Sequence, residues 1–389
     1  MRKNQTVPIA CPRPFGPHLV VRIAAGVIGL LLFLAACGGG AEAPSSQPGT
    51  ADPSALVDPS EIISGGPPPD GIPPIDEPKF IRPSEATWLA PQEPVIAIDL
   101  NGDARAYPAQ IMTWHEIVND TVGGVPVTVT YCPLCNTGIA FERPTIDGEV
   151  LDFGTSGKLY HSNLVMYDRQ TQSLWPQVLG QAVVGPLTGT RLEFVPVQMV
   201  AWADWRAANP GGKVLSRDTG ALRDYGTNPY VGYDSGDPFL FKGEVDPRLP
   251  PTARVVGVRV GPDVTAFPYS ALHDRRAGDW SVAQAALGGR QVVVFWKQGA
   301  LSAVDRAVIA ESREVGATGV FDARVSGRVP TFGATAQGIV DDQTRTRWDL
   351  FGRAFDGPLA GQELQRVISI ESFWFDWAAF HPATRIWAG

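Results

Sequence analysis

Apolar and polar residues alternate along this chain in short runs. Residues 95–100, 125–131 and 192–195 are such runs, each bounded by Gly, Asn or Pro. A period of two marks half-buried strands, and Asn101-Gly102 between two runs is a hairpin signal. Two stretches break the alternation with helical spacing. One starts at Pro108, which suits a first helical turn, and sets Ile111, Trp114 and Val118 on one face. The other covers residues 200–208 and stops before Pro210. The pattern predicts an α+β fold, mainly antiparallel β, with few and short helices.

The pattern also repeats. Val95-Ile-Ala-Ile-Asp-Leu-Asn-Gly-Asp-Ala-Arg-Ala-Tyr107-Pro108 returns as Val255-Val-Gly-Val-Arg-Val-Gly-Pro-Asp-Val-Thr-Ala-Phe267-Pro268. Phe153-Gly154 returns as Phe332-Gly333, and Asp168 to Trp175 as Asp341 to Trp348. Gly185-Pro186-Leu187 returns as Gly357-Pro358-Leu359, and Trp202-Ala-Asp204-Trp205 as Trp374-Phe-Asp376-Trp377. Matched blocks in the same order read as an internal duplication. The expectation is two related lobes, residues 85–216 and 253–389, packed as a pseudo-dimer. Residues 217–252 join them and carry Tyr225, Tyr230, Tyr233 and Phe239, too aromatic for a floppy spacer.

The N-terminus reads as an address. Arg2, Lys3, Arg13 and Arg22 precede an apolar run over residues 23–36, and Leu34-Ala35-Ala36-Cys37 closes it. This is the form of a secretory signal ending in a lipobox. The expectation is a signal peptide over 1–36, lipidation of Cys37, and a bacterial lipoprotein held in the cell envelope on the outer face of the cytoplasmic membrane. Residues 37–84 are rich in Gly, Pro, Ala and Ser and read as an extended tether. Loss of the signal removes four positive charges and no negative one, taking the formal net charge from −8 to −12. That balance argues against nucleic acid and against a polybasic grip on lipid; the membrane is the expected partner, through Cys37, and no protein partner is indicated.

Cys11 leaves with the signal and Cys37 takes lipid, so Cys132 and Cys135 remain as thiols. Their C-x-x-C spacing on a strand–turn–strand segment suits a metal knuckle better than the helix N-terminus a thioredoxin-type couple wants. The second half has lost both cysteines: Phe295-Trp296-Lys297-Gln298-Gly299 stands opposite Tyr131 to Cys135. It also lacks counterparts of His115, His161 and Met166. Softness makes copper or zinc the expected cofactor, held by Cys132, Cys135 and His115, with Met166 and His161 as additional candidates. Glu116, Asn119 and Asp120 stand ready to orient the second His115 nitrogen. Two alternatives use the same residues: a thiol–disulfide oxidoreductase, and a structural or partner-binding lipoprotein. No phosphate-binding loop, G-x-S-x-G elbow or H-E-x-x-H helix is present.

The run Thr130-Tyr131-Cys132-Pro-Leu-Cys135-Asn-Thr-Gly138 is preceded by His115-Glu116-Ile-Val-Asn119-Asp120. It is followed by Ser162-Asn163-Leu-Val-Met-Tyr167-Asp168-Arg-Gln-Thr171 and Trp175. In combination these motifs resemble the domain-of-unknown-function 3179 family from about residue 85 to the C-terminus. The resemblance implies that His115, Cys132 and Cys135 belong to the family pattern. It implies no activity. His161 and Asn209 read as local departures from it.

Overall fold

Asn101-Gly102 turns the chain as its composition predicts. In the computed structural model, which describes residues 55–389, Pro94–Leu100 pairs antiparallel with Asp103–Pro108, from Val95↔Pro108 to Leu100↔Asp103. Asn101 and Gly102 take φ of 52° and 79°. Two consecutive left-handed residues match the strand twist in a tight hairpin, and Asn and Gly tolerate that region best.

Helix α1, Ala109–His115, starts immediately after Pro108. It ends sooner than expected: Glu116 takes φ 58° and turns the chain into the Ile117–Val122 strand. Val118 therefore lies on a strand, not on the helix face. The β-branched pair Ile117-Val118 favours that outcome. Helix α2 is Trp202–Ala208, α3 is Tyr269–Asp274 and α4 is Trp374–Phe380.

The remaining framework is mostly antiparallel sheet. In the first half, Pro94–Leu100 and Asp103–Pro108 are flanked by Gln198–Ala201 and, in parallel, by Lys213–Leu215. In the second, Arg254–Val260 and Asp263–Pro268 are flanked by Ser369–Phe373 and, again in parallel, by Arg385–Ile386. Ile117–Val122, Val125–Cys132 and Thr137–Glu142 form a meander, as do Trp280–Leu287, Arg290–Lys297 and Ala317–Asp322. A third sheet in each half pairs Phe153 with Asp168, and Phe332 with Asp341.

The halves share their cores: α2 lies on Pro94–Leu100 and Gln198–Ala201 and α4 on Arg254–Val260 and Ser369–Phe373, while Ser369–Phe373 crosses to Thr137–Glu142 and Gln198–Ala201 to Ala317–Asp322. Trp374, Phe375 and Trp377 of α4 pack with Ile96, Ile139 and both cysteines of the first half. Trp202 and Trp205 of α2 pack with Phe295, Phe321 and Trp348 of the second. The described residues, 55–389, accordingly belong to one compact unit. The driving force is burial of apolar surface in cores to which both halves contribute, four indoles among it, each 1% exposed or less.

Residues 55–84 depart from the expected tether. Ile62–Ser64 pairs with the Phe153–Tyr160 strand, Phe80–Ile81 pairs with Lys213–Leu215, and Ile75 is buried. Arg169 reaches back to Asp70 and Asp76. Pro and Gly here set tight turns against the body instead of loosening the chain. The signal, Cys37 and the rest of the tether lie outside the described residues. Among those described, no helix is long and apolar enough to cross a membrane. The 217–252 segment packs as its aromatics predict, with Tyr225, Tyr230, Leu240 and Phe241 against the larger core.

Candidate functional site

The Val125–Cys132 and Thr137–Glu142 strands meet at the turn that carries the cysteines, with Cys132 opposite Thr137. Asn136 takes φ 55° and closes the turn. The amide N–H of Cys135 donates to the Cys132 carbonyl at 3.2 Å. The motif thus joins two strands, as Asn136 and Gly138 predict. Gln177 clamps the hairpin from behind: Thr137 Oγ1 donates to its Oε1 at 2.6 Å, and its Nε2 donates to Thr130 Oγ1 at 2.7 Å.

Both thiols are free and buried. They point to one backbone atom, the Ser162 carbonyl, 3.2 Å from Cys135 Sγ and 3.9 Å from Cys132 Sγ. Ser162 and His161 both take positive φ, 68° and 51°. They are the two loop residues of the hairpin closed by Tyr160 and Asn163, and that turn aims the carbonyl at the sulfurs. The Ser162 Oγ is buried and has no partner among the described residues.

The two thiols differ in what surrounds them. Cys132 lines a pocket of about 280 Å³ with Leu134, Leu159, Leu164, Tyr230 and Glu116. Cys135 is fully buried and lies beside Asp376, on α4 of the other half. Asn163 Nδ2 donates to Asp376 Oδ1 at 3.1 Å, and Ser372 Oγ donates to Oδ2 at 2.8 Å. Burial pushes the Asp376 carboxyl up to about 6 against these donors. Burial, the neighbouring Cys132 and the Asp376 charge push the Cys135 thiol well above the ordinary range. Tyr233, whose hydroxyl is buried without a described partner, is raised by burial and by the same cysteines and carboxylate.

His115 does not join the sulfurs. Its Nδ1 lies 2.6 Å from the Pro73 carbonyl and its Nε2 lies 2.6 Å from the Tyr225 hydroxyl, so both ring nitrogens are already engaged. Segments outside the expected lobe boundary supply both partners, so no pattern local to the lobe pointed to them. The groups expected to orient His115 are elsewhere too. Asn119 holds Asp76 and Phe153, while Asp120 accepts from Arg105 at 2.6 Å and from Tyr107 at 2.5 Å.

Met166 sits opposite Trp175 across its strand pair and is fully buried, with Ile339 opposite Trp348 in the second half. It fills core. His161 packs among Tyr160, Phe241 and Phe380 rings on the rim of a different pocket. Asp168 is structural, as expected: it accepts from the Thr171 amide at 2.6 Å and from Trp175 Nε1 at 2.9 Å. Among the described residues, no group of three or more His, Cys, Asp and Glu side chains is arranged to hold a metal ion.

Glu116 was legible only as a helper of His115. It is 8% exposed, and no described donor or cation meets its carboxyl group. Burial alone pushes it up to about 8, so it is a neutral acid at pH 7. Asp376 was hidden by its resemblance to Asp204, since a residue present in both halves reads as a fold residue. The available signal was the change opposite each: Asp204 faces Lys297 at 2.7 Å, and Asp376 faces Cys135.

The family described as Protein of unknown function (DUF3179) matches residues 69–384. No curated protein and no solved structure matches the chain.

Proposed function

The chain belongs to the DUF3179 family, and from that premise we propose that it is an extracytoplasmic thiol–disulfide protein that cycles Cys132 and Cys135 between dithiol and disulfide. One observation carries this reading: the two thiols are unequal. Cys132 faces a pocket, whereas Cys135 is enclosed beside a carboxylate. Cys132 is the sulfur a substrate meets. Cys135 is the sulfur that closes the disulfide, and Asp376 takes its proton as it does so. A raised carboxyl and a buried thiol within reach of each other are what such a proton transfer needs.

A copper or zinc ion on the same sulfurs is the second reading. Convergence of both Sγ atoms on one carbonyl favours it. Cys132 and Cys135 would hold the ion, with its remaining positions left to ligands from outside the described residues. His115 is a poor third ligand, because both its nitrogens are engaged.

The protein is proposed to sit in the cell envelope through lipid on Cys37, the membrane being its one assigned partner. The two halves are proposed to descend from one duplicated unit. The same strand pairings in each half and the matched Asp168–Trp175 and Asp341–Trp348 contacts support this. Intact-mass measurement on protein taken from its native membrane tests these readings together. The expected species carries lipid at Cys37 and a Cys132–Cys135 disulfide that reductant removes. A metal adduct lost in Cys132→Ser would favour the second reading, and thiols that stay free under oxidant would sink the first.

A further inference from the structure

The pocket beside Cys132 has a composition that selects its occupant. Its walls are largely aliphatic and aromatic, from Ile72, Leu134, Leu159, Leu164 and Leu240, and Phe239, 67% exposed, stands at its mouth. Pockets for drug-sized ligands span roughly 300–1,000 Å³; at about 280 Å³ this one takes something smaller. It is too small for a folded or extended peptide partner to enter. Two O–H groups and the exposed Lys158 chain interrupt the apolar lining. The O–H groups are the Glu116 carboxyl and the Tyr230 hydroxyl, and neither has a hydrogen-bond partner among the described residues. With no protein acceptor to meet it, the carboxyl O–H is free to donate to an acceptor that enters the pocket. Glu116 also holds a left-handed backbone conformation, φ 58°, which keeps its side chain at the end of α1 beside the thiol turn.

We infer that this pocket binds a small, uncharged, single-ring quinone, which takes the electrons of the Cys132–Cys135 dithiol. The inference rests on the disulfide reading above. A flat apolar ring satisfies the walls. Its two carbonyl oxygens satisfy the two O–H donors. Its redox chemistry matches the neighbouring sulfurs. In the reaction two S–H bonds break and one S–S bond forms between Cys132 and Cys135. The quinone gains two electrons and two protons, and its two C=O groups become C–O–H. Glu116 supplies one proton and takes up that of Cys132. The Cys135 proton passes to Asp376 and on to solvent, and Tyr230 supplies the second quinone proton and is reprotonated from solvent.

Duroquinone is the probe, because its fully substituted ring resists arylation by thiols. Anaerobic, pre-reduced protein is expected to convert it to the hydroquinone, one per dithiol consumed. A Cys132→Ser/Cys135→Ser variant is expected to bind it without converting it. Glu116→Leu is expected to weaken binding about tenfold or more, the loss of one hydrogen bond to a buried group. Glu116→Gln, which keeps a donor but has no proton to give, is expected to bind close to wild type and to reduce duroquinone about a hundredfold more slowly. Wild-type binding is expected to weaken above pH 8, where Glu116 loses its proton, while the Gln variant stays flat. If diamide closes the disulfide but duroquinone neither binds nor reacts, the quinone inference falls and the disulfide reading stands. If duroquinone binds but no oxidant closes the disulfide, the disulfide reading falls and takes the electron-transfer step with it.

Discussion

Asp376→Asn is expected to slow closure of the Cys132–Cys135 disulfide by about a hundredfold or more, the usual worth of a positioned proton acceptor. The shape of the pH profile is the sharper readout. In the wild type the rate rises as Asp376 ionises near pH 6. In the variant that inflection disappears, and the rate rises only where the thiols themselves lose protons. Misfolding does not explain such a result. The Asp376 carboxyl is raised from 3.8 to about 6 in the folded protein. Its contribution to stability is therefore full below the unfolded value and is lost as pH rises through 6. Replacement by a neutral amide removes that loss, so above pH 6 the variant is expected to be at least as stable as the wild type. Rapid-mixing kinetics with a small oxidant, alongside thermal melts at pH 5 and 8, make the comparison. An unchanged pH profile would remove Asp376 from the mechanism.

Trp348→Ala is expected to cost about 3–5 kcal/mol, the range for deleting a fully buried indole. Trp348 is 0% exposed, donates from Nε1 to Asp341 at 3.3 Å, and meets the Phe332 ring edge-on at 5.6 Å. The informative part is where the damage spreads. Trp348 shares a core with Trp202 and Trp205 of the first half, and α4 of the second half covers the cysteines. A single cooperative transition is therefore expected. Cys132 and Cys135 should become reactive to a thiol reagent at the same denaturant concentration at which tryptophan fluorescence changes. Thiols that stay protected after the second half has melted would show that the halves fold separately.

Local chemistry was legible in the sequence, and long-range chemistry was not. Asn101-Gly102, Pro108 and Asn136 each act through their own backbone dihedrals, so their roles follow from residue type alone. The thiol turn between two strands was legible for the same reason. Residues 55–84 misled because proline and glycine serve an extended linker and a tightly packed turn equally well; only the partner strand distinguishes them. His115 misled because proximity in sequence stood in for proximity in space. The turn at Glu116 leaves its ring on Pro73 and Tyr225. The Ser162 carbonyl leaves no trace in sequence, since every residue carries one. Asp376 lies in the opposite half from the cysteine it serves, a separation no local pattern spans.

The crossing of Ser369–Phe373 onto Thr137–Glu142 has a consequence for truncation. The Phe373 amide donates to the Cys135 carbonyl at 2.8 Å, and α4, which follows at once, brings Asp376 beside the thiol. A fragment that stops before residue 369 would therefore keep both cysteines yet bare them to water and leave them without their carboxylate.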